Sequence, residues 1–527
     1  MKDEHYNAPK SENLNDYSSI VVNASAAVHQ LIKEKEKYQS KSMQLEKELD
    51  WLKEQLKLIK ANHFGKKSEK SSQIQVELFD EVAIDEVTDE NEETEEITYT
   101  RKKPQPRNRY LDTTNLPREE KIHDLEASEK TCGCGHSLEK MGEDTREEII
   151  YQPASLKVID HVRLKYTCRH CETIKMPKAI ELPIQKSKAG ASLLAEIIMN
   201  KYAFHLPLYR QSKMLKIHGL EVGDATLGYW VMRASEALEP LGDAFWKELA
   251  KQKALQADET PVKLLKPEKK AYMWVYHSYL PQQRFIIFDF QLGRAQAAAN
   301  IRLKDFSGIL QTDGYAGYNL QRKRMDIVSV GCWDHARRYF TNVVKAAGNN
   351  KSGKAGGMLK LIAKLYELES EIKDKTFEER QRLRQEKATP ILQHIQEYLQ
   401  KIKAPPSSLL GKAVTYCSNQ WNDLVRYVDH GEAELANCWI ENQIRPFAVG
   451  KRNWLFIGNE VSGQRAALLY SLIQSCFMND IDPRRYLFYV LNQVHSMRKG
   501  EVDPGSLLPH RIDPSCLPTE KSDQIKA

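Results

Sequence analysis

The sequence predicts a multidomain α/β protein, and three observations carry that expectation. Apolar runs of strand length alternate with a helical pattern between residues 250 and 335, a seven-residue apolar repeat lies near the N-terminus, and two cysteine pairs stand between them. Strands alternating with helices pack as a sheet covered by helices, whereas the repeat and the cysteines belong to separate, smaller units ahead of that sheet.

The repeat comes first. Leu31, Tyr38, Leu45, Leu52 and Ile59 recur every seven residues, Val28, Leu49 and Leu56 fill part of the companion seam, and Lys35 and Ser42 interrupt it. Roughly five heptads of this kind predict a coiled coil and hence a homo-oligomer; the alternative is one amphipathic helix packed on its own chain. Gly65 stops this helix. Residues 77 to 96 then hold eleven acids and no Lys or Arg, too much charge to bury a core, and read as a solvated tether. RKKPQPRNR sets Arg101, Lys102, Lys103, Arg107 and Arg109 around two prolines. That extended cationic arm suits phosphates or a minor groove, and would serve equally as a plain basic linker.

Cys132 and Cys134 precede Cys168 and Cys171, and TREEIIYQPASLKVIDHVRLKYT between them alternates like a β-hairpin. Four thiolates at tetrahedral positions would hold a small sheet that lacks a core of its own, so the pattern reads as a zinc ribbon with a structural Zn²⁺. The first pair is tighter than a Cys-x-x-Cys knuckle, which leaves His136 or His170 as substitute ligands. Beyond the ribbon, residues 192 to 238 read as consecutive helices broken at Pro207 and near Gly219. RQSKMLKIHG and GDATLGYWVMR have helix-turn-helix spacing, with Asp224 or Thr226 as cap of the second helix. Such a pair could dock DNA or only pack on the sheet.

The sheet itself reads strand by strand. LQADETPVKLL, AYMWVYHSYL and RFIIFDF are rich in aromatic and β-branched residues and predict an antiparallel meander, with Pro281 in a turn. QAAANIRLKDF reads as a helix, and GILQTD and DIVSVGCW as two further strands. Five strands with interspersed helices are the pattern of a ribonuclease-H-like core. From Asp313 to Glu441 is 128 positions, and most of the interval is charged and helix-periodic and reads as a helical insertion ahead of one more helix.

Three acids stand out in this frame: Asp258 and Asp313 at the ends of apolar runs read as short strands, and Glu441 in a helical stretch that Pro446 would close. Converging carboxylates repel one another, so their convergence makes sense as a hard oxygen cage for divalent cations, usually Mg²⁺ with Mn²⁺ as an alternative. Two ions about 4 Å apart activate a water or hydroxyl and stabilise the leaving oxygen of a phosphodiester. Around them, His335 could shuttle a proton, Arg337 and Arg338 could grip phosphates, and Asp334 is the leading rival ligand. Arg445, four residues past Glu441, could pair with it or reach DNA. Lys451, Arg452 and Trp454 interleave cations with an aromatic ring. Glu259 should point to the opposite face of its strand from Asp258.

Composition narrows the class without deciding it. The chain has 527 residues, 78 Lys and Arg against 72 Asp and Glu, and a net charge of +6. With eleven acids confined to the tether, the remainder is more basic, as expected of a DNA-handling protein. No stretch reaches the roughly 18 apolar residues of a membrane span and the N-terminus lacks a signal-peptide core, which predicts a cytoplasmic, nucleoid-associated protein with no membrane partner. Nine cysteines in so long a chain argue against a secreted disulfide framework.

FGKKSEKS, the cysteine pairs, HLPLYRQSKML, ADETPV, TDGYAGY, GCWDHARRYF and IENQIRPFAVGKRNWLFIG follow one another in an order that resembles the DDE transposases of the insertion-sequence-66 family, the TnpC-type proteins, nearly end to end. Two departures are Lys451-Arg452 where the family usually has Arg-Lys, and the Cys-x-Cys first pair. The resemblance implies that Asp258, Asp313 and Glu441 are the triad holding two magnesium ions and that His335 neighbours them. It also implies double-stranded DNA as partner, both terminal inverted repeats and target, and small accessory proteins of the same element. The expected organisation is an oligomerisation region (1–70), linker and basic arm (71–110), zinc ribbon (111–182), helical region (183–250), catalytic domain (251–475) with the insertion at 345–430, and a C-terminal element (476–527). The expected activity is metal-dependent cleavage and strand transfer of insertion-sequence ends. A structure-specific nuclease and a catalytically inactive repressor are the alternatives.

Overall fold

The computed structural model describes residues 33–60, 155–167 and 174–518, apart from positions 44, 47, 58, 179, 282, 283, 295 and 349–352. The acidic tract, Gly65, the basic arm from Arg101 to Arg109 and all four cysteines of the expected ribbon lie outside the described residues. Every element below belongs to one compact unit. Among the described residues no helix is long and apolar enough to cross a membrane.

The described residues between 33 and 60 are helical. Tyr38, Leu45, Leu52 and Ile59 along this helix are each more than half exposed, so the heptad seam faces outward. Next come β1 (Tyr166–Thr167) and β2 (Ile174–Lys175), an antiparallel pair. The first part of the expected hairpin, up to residue 154, lies outside the described residues. Residues 155–165 carry neither helix nor strand, and Val158, Val162 and Leu164 are exposed, so the alternating pattern there has no core to bury against.

Four helices follow: α1 (Ala191–Tyr202), α2 (Leu208–Ile217), α3 (Asp224–Ala237) and α4 (Glu239–Leu249). The breaks at Pro207 and Gly219 fall where expected. The cap of α3 does not: Gly223 is its N-cap, and Asp224, already in the first turn, accepts from the neighbouring Ala225 N–H instead.

The sheet contains β3 (Ala254–Lys266), β4 (Lys269–Ser278), β5 (Phe285–Gln291), β6 (Gly308–Gln311), β7 (Ile327–Val330) and β8 (Ile457–Asn459). Its order is β5-β4-β3-β6-β7. The first three strands pair antiparallel as the expected meander, and β6 and β7 join in parallel, after α5 (Gln296–Arg302). Two features differ from expectation. β3 runs 13 residues, so Asp258 sits inside a strand rather than at its end. β8, a strand of three residues, pairs parallel with the far end of β3; it is too short to register as a periodic run.

α6 (Trp333–Ala346) leaves β7, and α7 (Lys354–Ile372), α8 (Thr389–Lys401) and α9 (Leu409–Asn419) follow with their own core of Trp333, Met358, Ile362, Leu365 and Ile395. Glu54 of the N-terminal helix accepts from the Leu409 N–H at the start of α9 (3.0 Å), and Lys412 lies over Trp51.

α10 (Cys438–Trp454) contains Pro446 in its interior instead of ending there. An interior proline costs roughly 3 kcal/mol, but Ile440, Ile444 and Phe447 are all buried, at ~1.5–3 kcal/mol each, and hold both halves of the helix down. α11 (Glu460–Met478) then covers the β5 edge: the hydroxyls of Ser471 and Ser475 accept from the backbone N–H groups of Phe288 (2.8 Å) and Ile286 (3.0 Å). Edge donors that could recruit a foreign strand are thereby satisfied within the chain.

Candidate active site

Register places the two aspartates. β3 and β6 run parallel with Gln256 opposite Gln311, and Asp258 and Asp313 each stand two residues further on. Side chains alternate along a strand with period 2, so Asp258 shares the face of Gln256 within β3, whereas Asp313 lies past the end of β6, in the turn that follows it. The glutamines that fix the register are buried and joined, Gln256 Nε2 to Gln311 Oε1 at 2.9 Å.

The same pair recruits the third acid. Gln311 Nε2 donates to the Glu434 carbonyl (2.6 Å), Gln256 Nε2 to the Ala436 carbonyl (3.3 Å), and Gln256 Oε1 accepts from the Ile440 N–H (3.2 Å). The segment entering α10 is therefore stitched to the strands, which puts Glu441 in the first turn of the helix, where a negative charge is favoured. Sequence reasoning passed over both glutamines. The signal was present as a repeated Leu-Gln-x-Asp, in LQAD at 255–258 and LQTD at 310–313, with a polar residue in each otherwise apolar run.

A cavity of about 230 Å³ opens here, lined by Asp258, Glu259, His335, Arg338, Glu441, Lys451 and Arg452 among others; Asp313 is not among its lining residues. Arg338 donates through Nη2 to both oxygens of Glu441 at 3.2 Å, and His335 Nε2 lies 3.8 Å from the same carboxylate. Lys451 donates to the Pro261 carbonyl at 3.4 Å. Burial, then the charges of Asp313, Glu259 and Glu441, push the Asp258 carboxyl well above the usual carboxylate range. Burial and Asp313 raise Glu259 to about 7, against the pull of Arg294. Burial and the Arg338 cation lower His335, so its ring is neutral near pH 7.

The turn after β6 explains the TDGYAGY run. Asp313 accepts from the Tyr315 N–H (2.8 Å), Gly314 takes φ +91°, and a side chain at Gly317 would strike the Tyr315 ring. From α9, the Tyr416 hydroxyl donates to the Asp313 carbonyl (2.7 Å).

Other expected residues are placed elsewhere. The Asp334 carboxylate accepts from the Tyr366 hydroxyl and the Cys438 thiol and does not line the cavity. Arg337 lies 3.8 Å from Asp334 and over the Tyr366 ring. Arg338 rather than Arg445 pairs with Glu441, and Arg445 is not among the lining residues. Glu259 lines the cavity beside Asp258 although its carboxylate is taken by Arg294 and Tyr318. Among the described residues no three His, Cys, Asp or Glu side chains are gathered closely enough to hold a metal ion; Glu441 is turned to Arg338. The donor chemistry nonetheless fits a hard divalent cation, because oxygen ligands that raise one another's pKa gain from a positive charge among them.

Comparison with known proteins bears on most of the chain. The profile described as "Transposase IS66 family" matches residues 186–465, that of the "zinc-finger binding domain of transposase IS66" residues 129–172, and "Transposase C of IS166 homeodomain" residues 51–120. Two similar proteins of Sinorhizobium fredii are the uncharacterized protein y4jD, 32% identical over 72% of this chain and 78% of its own length, and the uncharacterized protein y4hP, 31% identical over 69% and 70%.

Proposed function

The chain belongs to the IS66 transposase family, and on that premise we propose that Asp258, Asp313 and Glu441 form the catalytic triad of a DDE transposase that cuts and joins insertion-sequence DNA ends. Family membership implies transposase activity and DNA binding; the finer mechanism is our reading. The observation that carries it is the Gln256–Gln311 pair, each glutamine two residues ahead of one aspartate, with Gln256 also bonded to the first turn of the glutamate's helix. The strand order, with an antiparallel meander continued by two parallel strands, supports a ribonuclease-H-like core.

In this reading Asp258, Asp313 and Glu441 would hold two Mg²⁺ ions, with Mn²⁺ as substitute, which would supply Lewis acidity at the scissile phosphate. Arg338, already seated at the cavity, binds a phosphate oxygen once Glu441 turns inward. His335, kept neutral, accepts the proton of the attacking water or 3′ hydroxyl. Lys451 and Arg452, which line the cavity, contact the phosphates on either side of the cut. Arg337 and Arg445, which do not line the cavity, contact flanking DNA in this reading. The exposed seam of the N-terminal helix serves homo-oligomerisation, the basic arm contacts DNA, and Cys132, Cys134, Cys168 and Cys171 hold a structural Zn²⁺.

The test is to incubate the full chain with labelled terminal-repeat DNA and Mg²⁺, beside Asp258→Asn, Asp313→Asn and Glu441→Gln. Nicking and joining by the wild type, lost in all three variants with DNA binding kept, is the expected result. Cleavage of branched DNA without joining would favour a structure-specific nuclease, and binding without cleavage an inactive repressor.

A further inference from the structure

Arg294, in the segment between β5 and α5, ties the Asp313 turn to the strand of Asp258. Its guanidinium donates to Glu259 through Nε at 2.7 Å and again through Nη2, and the Glu259 side chain is only 1% exposed. The Tyr315 ring lies on the other side of the same guanidinium, 3.6 Å from centroid to carbon, and the Tyr315 hydroxyl donates to the Arg294 carbonyl at 2.6 Å. Tyr315 in turn donates its backbone N–H to the Asp313 carboxylate, and Tyr318, three residues on, donates to Glu259 at 3.3 Å. A closed circuit results, from the residue adjoining Asp258 through Arg294 to the carboxylate of Asp313.

We propose that Arg294 is a positioning residue: anchored on Glu259 and capped by Tyr315, it sets Asp313 against Asp258 and thereby sets the affinity of the site for its divalent ion. This inference rests on the metal reading above. A flat guanidinium is suited to the task because it makes in-plane bonds to a carboxylate while its face takes an aromatic ring. Were Arg294 only neutralising a buried glutamate, the ring above it would be irrelevant to the ion. Removing Tyr315 while keeping the ion pair separates the two roles.

The measurement is Mn²⁺ binding to the metal-free full chain without DNA, read as free Mn²⁺ by electron paramagnetic resonance. Tyr315→Leu and Arg294→Lys should each weaken binding about tenfold, a shift of about 1.4 kcal/mol, whereas Tyr315→Phe, which keeps the ring, should remain within about threefold of wild type. Circular dichroism reports whether each variant is folded; should Tyr315→Leu not fold, Arg294→Lys decides. Unchanged Mn²⁺ affinity in the folded variant overturns the proposal. No Mn²⁺ binding by the wild type itself would overturn the metal reading, and this inference with it, and would be recognised because the parent rather than the variants fails.

Discussion

Arg338→Ala offers a quantitative test of how the carboxylates are held apart from one another in the metal-free protein. One guanidinium nitrogen lies 3.2 Å from both oxygens of Glu441, and the two side chains are 25% and 13% exposed. At an effective dielectric of about 20, opposite unit charges at that distance attract by about 5 kcal/mol before desolvation is subtracted. Fully exposed pairs retain ~0–1 kcal/mol of this, and removing one partner of a buried pair costs ~3–5 kcal/mol. Intermediate exposure therefore predicts that Arg338→Ala destabilises by about 2 kcal/mol in chelator at pH 7. Glu441→Gln should cost less, because it also relieves the repulsion that raises Asp258. The cycle with the double variant should give a coupling of ~1–2 kcal/mol by urea unfolding. Mg²⁺ should then stabilise Arg338→Ala more than wild type, since an ion takes over the missing countercharge. Additive single variants, with coupling under about 0.3 kcal/mol, would refute the pairing; equal stabilisation by Mg²⁺ would refute the substitution of ion for guanidinium.

Other outcomes follow from the same geometry. The folded-state pKa of Asp258 lies above its unfolded value, so its contribution is present at low pH and is lost as pH rises past about 4 toward neutrality. Asp258→Asn should therefore gain stability relative to wild type as pH goes from 4 to 7 in chelator; a melting-temperature difference independent of pH would contradict this. Gln311→Leu strands the Glu434 carbonyl that it now satisfies and should destabilise by ~1–3 kcal/mol, with strand joining reduced more than DNA binding in a gel-shift and joining assay. Cys168→Ser should release Zn²⁺ from the purified chain, measured with a chromogenic chelator, and weaken binding to terminal-repeat DNA; retained zinc would remove that cysteine from the ligand set.

Much of this architecture was legible because the residues that build it are chemically uniform over several positions. The aromatic and β-branched runs before Pro281 and after it can hardly be anything but paired strands, and GILQ and IVSV were visible in the same way. Pro446 misled because local stereochemistry predicts a helix end, while Ile440, Ile444 and Phe447 pack on both sides of it and override the local cost. β8 escaped because three residues have no period. At the site, the acids were visible one by one, but the bonds that link their segments run through Gln256 and Gln311, which meet only once β3 and β6 are in register. Arg294 was invisible for a similar reason: 35 residues separate it from Glu259, and nothing local marks it. Asp334 reads in sequence as the leading rival ligand and is set apart in the fold by Tyr366 and Cys438, which occupy its oxygens.

The central claim is that Asp258, Asp313 and Glu441 together hold the divalent ions that act on DNA. Anomalous scattering from Mn²⁺ in crystals of the full chain bound to terminal-repeat DNA tests it most directly. The account predicts two ions at the cavity, with Asp258 and Asp313 as ligands and Glu441 turned away from Arg338 to complete the set. Ions ligated by Asp334, or a Glu441 still paired with Arg338 while the metal is bound, would contradict it.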